Sequence, residues 1–326
     1  MGPASMSRRL LLLAPAAALF VTLASVDLPL FLLGPGPARE VVPLIRVDGA
    51  PTYRPEGRML LTTVGFEPAT IFEAAWAGLV PEHQVVPEDQ VIPPDVTEQE
   101  YERYTLADMQ ASQIAATVVA LRKVTDYPER RGPGGLVQEV VPGSPADGVL
   151  SPGDVILAVE GRRLENLDVL QEAVRSAGTR RQIVLTVERD DRQRTVRLRP
   201  RLLTSAGRPV VGVVVVENFP FDVTIRSGDV GGPSAGLMWA LALVDLLDPG
   251  DLIGGRTIAG TGAIDLEGRV QPVGGVGHKV VAAARAGAEV FLVPIDNLSE
   301  ARAAGADIRL VAVSTVEEAI RDLESL

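Results

Sequence analysis

The sequence is poor in the residue types that often carry chemistry. It has no cysteine, two histidines (His83 and His278) and two lysines (Lys123 and Lys279). The absence of cysteine excludes disulfides, a thiol nucleophile and zinc–thiolate sites. No G-x-x-x-x-G-K-[ST] pattern occurs, so the sequence shows no sign of a P-loop for nucleotide binding. We therefore expect neither a metal nor a cofactor.

Positive charge is also scarce relative to negative charge. The 326 residues carry 31 basic and 42 acidic side chains, a formal net charge of −11. Because nucleic-acid-binding domains present basic surfaces to phosphates, this balance argues against nucleic acid as a partner.

The longest uncharged apolar stretch lies near the N-terminus. Arg8 and Arg9 precede a run without charge over residues 10–26, and apolar residues continue after it as far as Leu33. About 20 apolar residues cross a bilayer, and flanking arginines favour the cytoplasmic side. The pattern predicts a cytoplasmic stub and transmembrane signal-anchor over residues 1–40, with the catalytic part outside the cytoplasm. A cleaved signal peptide is the alternative.

A candidate nucleophile lies in the stretch Gly232-Pro233-Ser234-Ala235-Gly236, which matches the pattern G-x-S-x-G. An apolar segment with helical spacing follows it directly. A serine at the start of a helix has backbone N–H groups beside it that can hold an oxyanion. This interpretation needs a general base elsewhere in the chain.

Lys279 is the candidate base. It lies between the glycine-rich "PVGGVG" and the helical pattern "VVAAARAGA". Burial in an apolar helix disfavours the ammonium form, so a buried lysine can be neutral and accept a proton. An arginine could not, because it stays protonated in proteins. A Ser–His pair that uses His278 instead is a further alternative.

Together these residues resemble a known family. "GGPSAG" is followed, 279 − 234 = 45 positions later, by the lysine of "GRVQPVGGVGHKV". This arrangement resembles the Lon-type serine peptidases with a Ser–Lys dyad, and the similarity includes "GTGAIDLEGRVQPVGG" and "AGAEVFLVPIDN". The resemblance implies that Ser234 is the nucleophile and Lys279 the general base. It suggests supporting roles for Asp265, Gly232 and Pro233.

A second module precedes the serine. The stretch "GSPADGVLSPGDVILAVEGRRL" resembles a bacterial PDZ domain, a fold that binds extended peptides at a sheet edge. The resemblance implies a carboxylate-binding loop at Pro133-Gly134-Gly135-Leu136 and a peptide-accepting strand over residues 137–141. It also implies a groove helix that presents Leu170 and Val174. A module that only spaces or orients the peptidase is the alternative.

The order of these features predicts the domain organisation. "GRMLLTTVGF" has the composition of a strand and "DMQASQIAATVVALRKV" the apolar spacing of a helix, as at the opening of a Lon-type domain. We expect an α+β fold with a first peptidase segment at residues 41–129, an inserted PDZ domain at 130–201 and the dyad-bearing segment at 202–326.

The predicted function is ATP-independent cleavage of unfolded or tailed polypeptides by a serine endopeptidase. The partners expected are polypeptide substrates and the membrane, and the resemblance raises the prospect of a homo-oligomer. A catalytically silent peptide-binding adaptor of the same fold is the alternative.

Overall fold

The chain forms two compact units. The computed structural model describes residues 26–77, 79–80, 82–202 and 207–326. The described part of the smaller unit consists of residues 26–37 and 63–101 without residues 78 and 81. The larger unit comprises Ala38–Thr62 and Glu102–Leu326.

The first part of the described chain forms four strands and two helices. These are β1 (Asp27–Glu40), β2 (Ile45–Asp48), β3 (Arg58–Thr70), α1 (Ile71–Ala77), β4 (Gln84–Pro87) and α2 (Glu98–Val124). The strand and the helix predicted here are β3 and α2. The apolar spacing predicts a helix buried on one side, but residues 114–118 of α2 are all buried, so its second half is enclosed on every side.

The predicted membrane anchor ended at residue 40, and strand β1 shows that this end was placed too far along the chain. Residues 27–40, which the prediction placed in the anchor segment, pair antiparallel with β4 over Leu30–Leu33. Phe31, Val86 and Ile92 form a small core there. The apolar residues after position 27 are too few to span a bilayer and are used instead to bury one strand face.

The rest of the predicted anchor, residues 1–25, lies outside the described residues. Within the described ranges, no helix combines the length and the apolar character that crossing a membrane requires.

The middle of the larger unit is rich in short strands. It contains β5 (Gly135–Val140), β6 (Val155–Val159), β7 (Arg162–Arg163), α3 (Leu167–Ala177), β8 (Ile183–Arg189), β9 (Arg192–Leu198), β10 (Arg201–Leu202), β11 (Pro209–Val210) and β12 (Val213–Glu217). The stretch "SPADGV" between β5 and β6 forms a series of turns.

The final part of the chain alternates strands and helices. It contains β13 (Asp222–Ile225), α4 (Gly236–Leu247), β14 (Thr257–Gly260), β15 (Ala263–Ile264), β16 (Val270–Gln271), α5 (Val276–Arg285), β17 (Val290–Pro294), α6 (Leu298–Ala303), β18 (Arg309–Val313) and α7 (Val316–Glu324).

The main sheet of the larger unit is parallel. Its strands lie in the order β18-β17-β14-β3, and all three pairings are parallel. One face packs against α2, α4 and α7 and the other against α5 and α6. Parallel strands buried on both faces are near-continuously apolar, as the fully buried β17 shows. The fold is therefore mixed α/β rather than the predicted α+β.

A second sheet forms the PDZ-like region, in the order β12-β5-β6-β8-β9 with β7 on β6. Its edge strand β12 comes from beyond residue 201, where the predicted module ended. The main sheet meanwhile combines β3, from before this region, with β14, β17 and β18, from after it. The chain thus leaves the main sheet, builds the second sheet and returns.

Candidate active site

The turn that carries Ser234 is held in place by helix α2. Gly232 N donates a hydrogen bond of 2.7 Å to the carbonyl oxygen of Thr105, and Ser112 Oγ donates one of 2.9 Å to the carbonyl oxygen of Pro233. Gly232 has a φ of +79°, which a residue with a side chain rarely adopts. Ser234 itself is half-buried, two residues before α4, so its hydroxyl lies at a helix start within reach of solvent.

The same turn is bound from the opposite side by the residues that follow β14. Gly262 N donates to the carbonyl oxygen of Ser234 at 2.8 Å, and Thr261 Oγ1 donates to the same oxygen at 3.0 Å. Lys279 Nζ in turn donates to Thr261 Oγ1 at 3.1 Å. One threonine hydroxyl therefore links the candidate base to the residue that carries the candidate nucleophile.

Lys279 lies in the first turn of α5 and is 4% exposed, between the buried side chains of Val276 and Val280. Burial lowers the pKa of its ammonium group to about 8, and the carboxylate of Glu300 opposes part of that change. A substantial fraction of the amine is thus neutral near physiological pH. The neighbouring His278 is half-buried on the same helix.

Asp265 has a different role from the one expected. Its carboxylate accepts hydrogen bonds from the backbone N–H groups of Glu267 and Arg269 and pairs with the Arg269 guanidinium at 2.7 Å. These contacts close the hairpin between β15 and β16. Asp265 stabilises that turn, and the hydrogen bond to Lys279 comes from Thr261. The sequence did not point to Thr261, because the motif Gly260-Thr261-Gly262 gives no sign of which groups the threonine hydroxyl bonds to.

The predicted carboxylate-binding loop is not a peptide site. Gly135 and Leu136 belong to β5, which pairs with β12 on one side and with β6 on the other. A Cβ at Gly134 would lie 2.7 Å from the carbonyl oxygen of Ile156, so this loop packs against β6. Because both hydrogen-bonding edges of β5 are occupied there, it cannot accept a peptide strand at these residues.

The available edge belongs to β12, at the end of the sheet order. A cavity of about 340 Å³ lies between β12 and α3. Its walls include Leu170 and Val174, the two groove residues predicted on α3, together with Val213 and Val215. Its remaining lining residues are Val141, Leu167, Gln171, Arg175, Arg208, Pro209, Val210, Val211 and Gly212.

The loop before β12 takes the place of the predicted one. Gly212 has a φ of +82°, and a Cβ there would lie 2.1 Å from the Cβ of Ser144, so only glycine fits. The signal that could have located this loop is the pattern Val211-Gly212-Val213, a glycine between apolar residues at the start of a strand. Arg175 and Arg208 also line this cavity, and the Arg175 guanidinium pairs with the carboxylate of Glu172 at 2.9 Å.

The described residues contain no group of His, Asp or Glu side chains arranged to hold a metal ion.

Comparison with known proteins identifies both modules. The family model of the Lon protease (S16) C-terminal proteolytic domain matches residues 218–323, and that of the PDZ domain matches residues 114–199. Each covers less than half of the chain. The PDZ match ends before β12, which the structure adds to that sheet.

Curated relatives agree with the first match. Lon protease 1 of Myxococcus xanthus is 36% identical over 114 residues, which are 33% of this chain and 14% of that protein. Lon protease 1 of Herpetosiphon aurantiacus is 46% identical over 81 residues, which are 24% of this chain and 9% of that protein. The chain thus spans about a tenth of the length of these relatives.

Among solved structures, the PDZ domain of an SdrC-like protein from Listeria monocytogenes is 20% identical and covers 26% of this chain and 87% of that one, with a TM-score of 0.24. The PDZ assignment rests on the family model and on the sheet described above. The chain contains a PDZ domain and the C-terminal proteolytic domain of the Lon (S16) proteases, which is a serine endopeptidase domain.

Proposed function

We propose that the protein is an ATP-independent serine endopeptidase whose catalytic dyad is Ser234 and Lys279. The observation that carries this proposal is the buried Lys279, with a pKa of about 8, linked through the Thr261 hydroxyl to the turn of Ser234. At pH 7 roughly one tenth of such a lysine is neutral. No P-loop sequence is present, so the reaction is expected to proceed without ATP.

In the acylation step, the neutral Lys279 amine removes the proton from Ser234 Oγ as that oxygen attacks the peptide carbonyl carbon. Backbone N–H groups of the serine turn stabilise the resulting oxyanion, with Ser234 and Ala235 as the candidates, because those of Gly236 and Leu237 already donate to the carbonyl oxygens of Pro233 and Gly262. The lysine then passes the proton to the leaving amine as the C–N bond breaks. A water molecule hydrolyses the acyl-enzyme by the same proton transfers and regenerates Ser234.

Thr261 is a positioning residue in this scheme. Its hydroxyl accepts from Lys279 Nζ and donates to the Ser234 carbonyl oxygen, so it fixes the amine relative to the serine turn. Because Lys279 Nζ is the donor in this hydrogen bond, the lone pair of the neutral amine remains available to accept the proton of Ser234.

The PDZ groove between β12 and α3 is proposed to bind extended polypeptide ends. An added strand can pair with the edge of β12, and apolar side chains can enter the cavity beside Leu170 and Val174. Arg208, which lines the cavity, favours a ligand that ends in a carboxylate.

We also propose that residues 10–26 anchor the protein in a membrane with the peptidase outside the cytoplasm, on the basis of their uncharged apolar sequence behind two arginines.

The test of the peptidase proposal is cleavage of an unfolded polypeptide by the purified chain, without nucleotide and with a chelator present. Cleavage that disappears in Ser234→Ala supports the proposal. Peptide binding without any cleavage would identify the protein as a peptide-binding adaptor of the same fold instead.

A further inference from the structure

The smaller unit exposes an unusual density of large apolar side chains. Of the twelve large hydrophobic residues exposed among the described residues, five lie between positions 66 and 79. These are Phe66, Ile71, Phe72, Trp76 and Leu79, which we name the α1 surface. Trp76 is 62% and Leu79 76% exposed. Soluble monomers rarely leave such a concentration of apolar area in water, so this surface indicates a binding partner.

The local structure holds these side chains outward. Phe72 and Trp76 are one helical turn apart on α1, and Leu79 lies in the turn after the helix, where its N–H donates to the carbonyl oxygen of Trp76 at 2.9 Å. The start of α1 is fixed by a reciprocal cap, in which Thr70 N donates to Glu73 Oε2 at 2.8 Å and Glu73 N donates to Thr70 Oγ1 at 3.4 Å. The apolar face is therefore part of a defined structure rather than of an irregular loop.

The position of this unit along the chain points to the partner. The uncharged apolar run of residues 10–26 ends one residue before β1, and β1 pairs with β4 inside the smaller unit. If that run inserts into a bilayer, as proposed above, covalent connection keeps the smaller unit next to the lipid surface. Tryptophan and other large apolar residues are the side chains favoured at that interface.

The negative charge of the smaller unit indicates which lipid headgroups it can approach. Residues 27–37 and 63–101 contain nine carboxylates and no lysine or arginine. Such a surface is repelled by anionic headgroups and is compatible with zwitterionic ones. Attraction to the membrane must therefore come from apolar insertion at the α1 surface rather than from charge.

We propose that the α1 surface docks onto the interfacial region of a zwitterionic bilayer, with Trp76 and Leu79 inserted at headgroup depth. The docking rests on the proposed N-terminal anchor and goes beyond it. A bare anchor would leave the folded part tethered and free to rotate, whereas docking fixes the smaller unit against the membrane.

The absence of cysteine in the chain allows a direct test with the full-length protein. Leu79→Cys carries an environment-sensitive fluorophore on the α1 surface. Leu202→Cys carries the same fluorophore on a matched leucine, 63% exposed, in the larger unit. Both proteins are reconstituted into phosphatidylcholine vesicles, isolated by flotation and compared with the same proteins in detergent.

We expect a blue shift and protection from an aqueous quencher at position 79, with little change at position 202. Replacing part of the phosphatidylcholine with phosphatidylglycerol should reduce the shift at position 79. If the protein floats with the vesicles while the label at position 79 stays in water, the docking proposal is wrong and the anchor proposal is supported.

Two other results also decide the matter. Protein that fails to float would overturn both the anchor and the docking. A blue shift that appears without vesicles and grows with protein concentration would assign the α1 surface to self-association and reject the lipid partner. Cleavage measured in the same samples is independent of all these outcomes, so the peptidase proposal is tested separately.

Discussion

At the scale of single residues, burial gives Lys279 the property that a general base needs. An exposed lysine is almost fully protonated at neutral pH, whereas the 4% exposed Lys279 has a pKa of about 8. The cause is the cost of holding a charge in the apolar surroundings of α5. Its single described hydrogen-bond partner, Thr261, is neutral and does not restore that charge.

The first prediction concerns the dyad. Ser234→Ala and Lys279→Ala should each lower the cleavage rate by about 10³-fold or more, because the two residues act as a unit. Lys279→Arg should be equally inactive, since a guanidinium cannot accept a proton. The measurement is cleavage of an unfolded substrate, with thermal unfolding as a check on folding. His278→Ala is the control and should retain most activity; activity that survives in Lys279→Arg but not in His278→Ala would assign the base to the histidine.

The second prediction is a pH dependence with a definite sign. Because the reaction needs neutral Lys279, kcat/KM should rise with pH, about tenfold per pH unit below 8, and level off above it. The carboxylate of Glu300 raises the pKa of Lys279, so Glu300→Gln should move the profile to lower pH. The control is Glu324→Gln, an exposed residue at the end of α7, which should leave the profile in place. An unchanged profile in Glu300→Gln would contradict the assignment of Lys279 as the titrating base.

The third prediction tests Thr261. Thr261→Val keeps the shape of the side chain but removes the hydroxyl that joins Lys279 Nζ to the Ser234 carbonyl oxygen. We expect kcat to fall about 10- to 100-fold with little change in KM, as for a misplaced catalytic group. Thr261→Ser restores the hydroxyl and should restore most of the rate. Equal losses in the valine and serine variants would show that the residue matters only for packing.

At the scale of elements, helix α2 contacts both the serine turn and the PDZ sheet. Ser112 Oγ and the Thr105 carbonyl bind the turn around Pro233, while Gln138 Nε2 of β5 donates to the carbonyl oxygen of Ala111 at 3.1 Å. The helix is 27 residues long and largely buried in its second half, so it is a stiff support for the turn. The serine turn therefore depends on a helix that lies more than a hundred residues earlier in the chain.

The fourth prediction concerns the contact between helix α2 and the serine turn. Ser112→Ala removes the hydrogen bond to the Pro233 carbonyl and should lower the free energy of unfolding by about 1 kcal/mol. Activity should fall further than that loss of stability explains, because the turn loses one of its fixed positions. Chemical denaturation and steady-state kinetics on the same variant measure the two effects. Full activity in a destabilised protein would mean that α2 supports the fold but not the geometry of the turn.

At the scale of the whole molecule, an edge strand of the PDZ sheet leads into the peptidase segment. Strand β12 forms one edge of that sheet and β9 the other, and Ser234 lies 234 − 217 = 17 residues after the end of β12. Between them, β13 pairs with β2. A peptide that pairs with β12 therefore binds to the segment that leads into the nucleophile turn.

The fifth prediction follows from this connection. A non-cleavable peptide with a free C-terminal carboxylate should bind the groove and raise the turnover of a short reporter peptide several-fold, by favouring one arrangement of β12. Its amidated form should bind more weakly, since it lacks the negative charge that Arg208 favours. Val174→Asp, in the groove, should abolish the effect, and Val149→Asp, an exposed valine outside the groove, should not. Binding without any change in turnover would limit the role of the PDZ domain to the delivery of substrate.

The local sequence was sufficient for the identity of both modules and for the choice of Ser234 and Lys279 as the candidate dyad. The G-x-S-x-G stretch at Ser234, the lysine 45 positions later and the helix that carries Leu170 and Val174 were all predicted, because each depends on residue type, spacing and helical periodicity. The apolar content of β3 and the spacing in α2 located those elements for the same reason.

The tertiary structure decided what depends on contacts between distant segments. Strand β12 pairs with β5 from more than seventy residues away, and this pairing leaves β12, not β5, as the edge that can accept a peptide. The same applies to Thr261, whose hydroxyl meets Lys279 across 18 residues, and to Asp265, whose carboxylate is used by its own turn. Strand pairing and burial are set by the whole fold and not by neighbours in sequence. Which strand edge stays free, and which polar groups bond to each other, is therefore determined only when the strands and helices pack.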